Sequence, residues 1–171
     1  MVYGTSYVSP LVEVFRDVYI GERSFVATNT VLRAAPERRL EIGSETNAQD
    51  NIIVRALNQS ASIGNETSLA HHAIVRDSTI SDFAFVGFDA EVVNSTVERG
   101  ALISAKALIQ DVTLPENALV PPGGQITTQE QATPWRASRS GTMSSSGRSS
   151  TSTRSSPRAT SRSSRRKATM R

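Results

Sequence analysis

Residues 69–92 read Leu-Ala-His-His-Ala-Ile-Val-Arg-Asp-Ser-Thr-Ile-Ser-Asp-Phe-Ala-Phe-Val-Gly-Phe-Asp-Ala-Glu-Val, with aliphatic residues at Leu69, Val75, Ile80, Val86 and Val92. The steps are six, five, six and six. A period near six does not keep a stripe on one face of an α-helix, so this is not an amphipathic helix. Extending the count in both directions gives Val8, Val14, Ile20, Val26, Leu32, Ile42, Ala48, Val54 and Ile63 before it, and Val97, Ile103, Ile109, Leu114, Val120 and Ile126 after it. All but Ala48 are Val, Ile or Leu. Four residues beyond each anchor the side chain is usually small or slim, as at Ser24, Thr30, Thr46, Thr67, Ala73, Ala84, Ala90, Ala101, Ala107 and Ala118, with Pro36, Ile52 and Asn58 as exceptions. Gly21, Gly43, Gly64 and Gly87 directly follow four anchors. Such spacing predicts short flat strands that meet at tight corners, with the aliphatic residue pointing inward and three strands to a coil of about eighteen residues.

The breaks in the period agree with this reading. Steps of ten and nine follow Leu32 and Val54, and steps of five follow Val75, Val92 and Ile109. With three anchors per coil, all five fall at the same corner, as loops and trims on one edge of a solenoid would. Coils stabilise one another by stacking, and each fully buried aliphatic anchor contributes roughly 1.5–3 kcal/mol. The expected fold class is therefore an all-β parallel β-helix. Spacing alone leaves its hand open, and the general rule for parallel crossovers would favour right-handed coils.

Composition divides the chain. Among 171 residues, all 16 acidic side chains lie in residues 1–132 beside 9 basic ones, a balance of −7, while residues 133–171 hold 10 basic residues and no acid. The expected organisation is a β-helix domain over 1–132 followed by a Ser/Arg-rich basic tail over 133–171. The tail holds Trp135 and two Met as its large apolar residues, too few to offset ordering entropy, and is expected to be disordered. Three readings stay open for it: a basic arm for nucleic acid or another acidic partner, densest at Arg165, Arg166 and Lys167; a solvated tail; or a stretch that is not natural coding sequence. The absence of Cys excludes disulfides and thiolate chemistry. No apolar run of membrane-spanning length and no secretory layout at Met1–Pro10 is present, so no membrane association and a cytoplasmic location are expected.

Hexapeptide repeats of this form resemble the left-handed β-helix proteins, chiefly acyltransferases and gamma-class carbonic anhydrases. Several segments are similar to the second group. Leu32-Arg33-Ala34 and Ile42-Gly43-Ser44-Glu45-Thr46-Asn47-Ala48-Gln49-Asp50 look like that family's arginine strand and its asparagine-x-glutamine-aspartate stretch. Phe85-Val86-Gly87-Phe88, Leu108-Ile109-Gln110-Asp111-Val112, Val120-Pro121-Pro122-Gly123 and Ile126-Thr127-Thr128-Gln129-Glu130-Gln131-Ala132 look like the version that opens a carboxysome scaffold. The resemblance implies a left-handed coil and a homotrimer, with Arg33, Asn47, Gln49 and Asp50 around the site and at the subunit interface.

In that family three histidines from two subunits hold zinc. The matching positions here are Arg55, His71 and Arg76, so one of three survives. A guanidinium has no lone pair to offer and does not deprotonate, whereas catalytic zinc takes three protein ligands and keeps one place for water. The position after Arg33-Ala34, commonly aspartate in the family, is Ala35. The reading is a carbonic-anhydrase-like trimer without zinc hydratase activity, a scaffold or small-anion binder for an ion such as bicarbonate, with no cofactor expected. Its alternatives are a carbonic anhydrase with rearranged ligands, in which His71 would still hold zinc, and a hexapeptide acyltransferase using His71 or His72 as base.

Arg33, Arg55 and Arg76 each directly follow a third-position anchor. With the corner insertions removed they form one column, preceded by Phe15 and followed by Val93 and Gln110, at about 4.8 Å spacing. Two unit charges 4 Å apart at an effective dielectric near 20 repel by about 4 kcal/mol. The column therefore needs counter-charge. The candidates are Asp50, Glu45 and Asp77 of this or a neighbouring subunit, or a bound anion gripped by the arginines.

Overall fold

A computed structural model describes residues 4–133. The expected disorder of the basic tail and its candidate cluster Arg165, Arg166 and Lys167 lie outside the described residues. The described chain is a parallel β-solenoid of seven coils. Its first coils comprise β1 (Tyr7–Val8), β2 (Glu13–Phe15) and β3 (Val18–Ile20), then β4 (Phe25–Val26), β5 (Val31–Ala34) and β6 (Leu40–Ile42), then β7 (Asn47–Ala48), β8 (Ile53–Ala56) and β9 (Ala61–Ile63). The next three are β10 (Ser68–Leu69), β11 (Ile74–Arg76) and β12 (Thr79–Ile80), β13 (Phe85–Val86), β14 (Glu91–Val93) and β15 (Thr96–Val97), and β16 (Leu102–Ile103), β17 (Leu108–Gln110) and β18 (Thr113–Leu114). The last coil has β19 (Leu119–Val120) and β20 (Gln125–Ile126), and then the short helix α1 (Gln129–Ala132) where a third strand would stand.

Every third strand pairs in parallel, so the first sheet runs from β1 to β19, the second from β2 to β20 and the third from β3 to β18. All twenty sequence anchors fall in strands and pair with one another: Val8↔Val26 opens the ladder of the first sheet, Val14↔Leu32 that of the second and Ile20↔Ile42 that of the third. Eighteen of them are at most 3% exposed and form the core. The insertions sit where the step count placed them, between the second and third sheets. From β10 onward the loops vanish there, and Leu69, Val86, Ile103 and Val120 pair in sequence, each seventeen residues after the last.

The corners use two devices. Left-handed backbone at the corners is carried mostly by polar side chains, for example Asn29, Asn51, His72, Asp89 and Lys106 in one stacked column, with φ between 54° and 62°. Asn and Asp tolerate this region better than most residues. Gly43 and Gly64 serve a different need. A Cβ on Gly43 would lie 2.6 Å from the backbone of Gly64, and one on Gly64 would lie 2.5 Å from the Asp82 nitrogen, so the next coil passes too close for any side chain.

The two ends also differ. At the C-terminal end the Gln129 side chain accepts from the Thr113 N–H and donates to the Thr113 carbonyl, both at 2.8 Å, imitating the strand that is missing. Gln131 Oε1 accepts the Thr128 N–H at 3.1 Å, which secures the helix start. At the first coil Val14, an anchor by sequence, is 46% exposed because no described coil lies beyond it. No helix among the described residues is long and apolar enough to cross a membrane.

Candidate functional site

The corner between the first and second sheets stacks Thr28, Asp50, His71 and Phe88 from successive coils. Asp50 Oδ1 accepts from the Thr28 hydroxyl at 2.9 Å and the Thr28 N–H at 3.1 Å, and its Oδ2 lies 3.3 Å from His71 Nδ1. The Thr28 hydroxyl holds the Asp50 carboxyl below the usual carboxylate range, aided by the Thr28 N–H and by His71, against partial desolvation. Gln49 Oε1 accepts the His71 N–H at 3.2 Å, and the imidazole stacks on Phe88 with ring centroids 5.7 Å apart. Contact of Nδ1 with a carboxylate leaves Nε2 as the outward nitrogen. His72 sits on the left-handed corner residue itself, so its ring is tilted 56° from that of His71 and its Nδ1 lies 3.3 Å from Asp89. Adjacent histidines thus face different partners, and His72 does not take up a second ligand's place beside His71.

Around the corner, the outer face of the second sheet carries the arginine column in the register that coil counting gives: Phe15↔Arg33, Arg33↔Arg55, Arg55↔Arg76, Arg76↔Val93 and Val93↔Gln110. Arg33 lies over the Phe15 ring, 5.7 Å from its centroid. Arg76 Nη2 donates to Glu91 Oε1 at 2.6 Å. The half-buried Arg55 side chain has no partner among the described residues, and the Nε atoms of Arg55 and Arg76 are both shielded from solvent and unpaired. A buried donor left unsatisfied costs about 1–3 kcal/mol.

The acids expected to neutralise this column do not do so within the chain. Glu45 pairs with Arg23, and Asp50 with Thr28 and His71. Asp77 turns into the corner, where it is 7% exposed and accepts N–H bonds from Leu57 at 2.6 Å and Asn58 at 2.9 Å and an amide bond from Asn58 Nδ2 at 2.8 Å. The inserted residues 57–59 wrap that carboxylate. The counter-ion actually used, Glu91, was legible by the same arithmetic: it stands on the next coil, diagonal to Arg76, because Ile74↔Glu91 and Arg76↔Val93 are register pairs.

The expected site residues thus separate into two groups in one chain. Gln49, Asp50 and His71 meet at the corner, Arg33, Arg55 and Arg76 meet on the second sheet, and no contact joins His71 to either Arg55 or Arg76. Asn47 stands apart, on the outer face of the first sheet between Phe25 and Ser68. A zinc ion of the kind the family resemblance implies does not fit these residues. Of the three positions the resemblance assigns to it, Arg55 and Arg76 present guanidiniums without lone pairs, and His71 is the one that offers an imidazole.

No family model matches the chain. It is 32% identical over 143 residues to the carboxysome assembly protein CcmM of Nostoc sp., an overlap that covers 77% of this chain and 26% of that protein. It is 31% identical over 125 residues to the mitochondrial gamma carbonic anhydrase 2 of Arabidopsis thaliana, covering 68% of this chain and 43% of that one. The chain therefore spans about a quarter of the length of the first relative and less than half of the second. Among solved structures, a Bacillus cereus protein assigned as an acetyltransferase superposes with a TM-score of 0.62 at 22% identity, covering 78% of this chain and 81% of that one, which is a likeness of fold alone.

Proposed function

We propose that this solenoid, which belongs with the gamma-carbonic-anhydrase-like hexapeptide-repeat proteins, is a homotrimeric scaffold that does not hydrate carbon dioxide through zinc. The observation that carries this reading is the column itself: two of the three ligand positions are arginines stacked in register, and they place fixed positive charge where a cation would sit. Fixed charge of that sign suits an anion such as bicarbonate, or carboxylates of a neighbouring subunit, rather than a metal ion. Association through the second sheet is supported by its outward residues, which include the half-buried Val31, Ile53, Ile74, Val93 and Leu108, whereas the third sheet, apart from Tyr19, shows Glu41, Ser62, Thr79, Thr96 and Thr113. The assembly role named for CcmM supports the scaffold assignment.

The test is zinc content by elemental analysis, on full-length protein whose intact mass is confirmed and whose subunit number is read by light scattering. A zinc-free trimer is the expected result. Zinc near one per subunit would return the chain to the hydratases with unforeseen ligands. A second reading, acid–base chemistry in acyl transfer, is favoured by the Asp50–His71 contact. It predicts turnover of an acyl-thioester donor that His71→Ala abolishes, and no turnover removes it. The basic residues 133–171 are proposed as a separate segment following the 1–132 solenoid. Binding to nucleic acid through them would weaken steeply with added salt, and an affinity indifferent to salt argues against it.

A further inference from the structure

Arg55 presents five N–H donors and meets no acceptor among the described residues, although it is half-buried between Arg33 and Arg76. From this geometry we infer that Arg55, with Arg33 and Arg76 on either side, is the centre of a binding site for a phosphate-class dianion. The inference deepens the non-zinc reading above, because it needs the former ligand positions to be free of metal.

Charge selects the class. The column carries three positive charges, and among the described residues Glu91 on Arg76 is the one carboxylate that contacts it; Glu13, on the first coil of the same sheet, makes no ion pair with it. Two positive charges remain. A monoanion such as bicarbonate, or one carboxylate from a neighbouring subunit, leaves one uncompensated, while a dianion leaves none. Shape agrees with charge: the strands that carry these arginines stand about 4.8 Å apart, and a tetrahedral ion has oxygens enough to accept from side chains of two adjacent rungs at once, which a planar carboxylate does less well. The half-buried Ile53 and Ile74, two residues before Arg55 and Arg76 on the same strands, lower the local dielectric and strengthen the attraction.

Inorganic phosphate titrated into the full chain, followed by calorimetry in phosphate-free buffer, tests the site. The expected result is saturable binding of one ion per subunit, weakened about tenfold or more in Arg55→Gln and in Arg76→Gln, as loss of a charge-assisted bond requires. Arg99→Gln, on a corner outside the column, leaves it unchanged. Arg55→Lys keeps the charge without the fork and is also expected to weaken binding; circular dichroism on each variant separates lost binding from lost fold. Phenyl phosphate run alongside tells a free ion from a phosphoryl group on a larger molecule: equal or tighter binding assigns the group, and rejection assigns the free ion. Absence of saturable binding, or binding that the Arg55 and Arg76 variants leave intact, overturns the inference. So does dissociation of the oligomer by Arg55→Gln with no phosphate effect, which would make a partner's carboxylate the missing acceptor. A zinc-loaded protein sinks the functional reading, whereas a blank phosphate titration on zinc-free protein sinks this inference alone.

Discussion

Arg76 and Asp77 are neighbours in sequence and opposites in circumstance. Asp77 turns inward at the corner and collects donors from Leu57, Asn58 and, through its carbonyl, the Gln59 side-chain amide. Arg76 turns outward, satisfies one nitrogen on Glu91, and leaves Nε buried and unpaired, as Arg55 does beside it. The comparison separates two kinds of charge. One holds the chain's own loop in place and is complete within the chain; the other faces away from the chain and is incomplete without something else.

Removing Asp77 should therefore have the largest effect on folding. Asp77→Ala strands the backbone donors of residues 57 and 58 in a buried corner and is expected to lower stability by about 3 kcal/mol, read from denaturant unfolding. A loss too small to measure would show that the inserted loop holds itself. The next effect is on pH dependence. Burial pushes the Asp77 carboxyl up, but the N–H bonds from Leu57 and Asn58 outweigh it and leave the group below the usual carboxylate range. Its stabilisation is then fully present above the unfolded carboxylate value of about 3.9 and is lost as pH falls through the lower folded value. Asp77→Asn should flatten the acid limb of a stability–pH curve, and an unchanged limb would assign acid unfolding to other carboxylates. The smallest effect belongs to the arginine. Arg55→Leu in phosphate-free buffer should leave stability unchanged or raise it by up to about 1 kcal/mol, since it deletes an unsatisfied donor. A destabilisation as large as that of Asp77→Ala would erase the contrast and make the column part of the folding framework.

Most of the architecture was legible because a solenoid repeats a single decision. Each coil asks for three inward aliphatics, and Leu32, Val54 and Val75 reveal their alignment by spacing alone, which aligns Arg33, Arg55 and Arg76 with them. What spacing does not carry is the direction in which a corner side chain turns. Glu45, Asp50 and Asp77 all stand close enough in sequence to serve the arginines, yet corner geometry directs them to Arg23, His71 and the 57–59 loop. The left-handed corners carry no sequence signal for a related reason: Asn, Asp, His and Lys adopt them in turn, so no residue type marks the column. Helix α1 replaces a strand through the side chain of Gln129, an imitation that hydrophobic periodicity does not register.

The uniform seventeen-residue spacing after Leu69 bears on how such a molecule could change over time. Where Val86, Ile103 and Val120 pair without intervening loops, one rung is interchangeable with the next. Excision or duplication of a whole rung beyond β15 would keep every ladder in step and leave Phe88 on His71 and Glu91 on Arg76 in place. Length in this part of the protein is thus a free variable, adjustable in units of one rung, while the earlier coils, with loops of unequal size, are each irreplaceable.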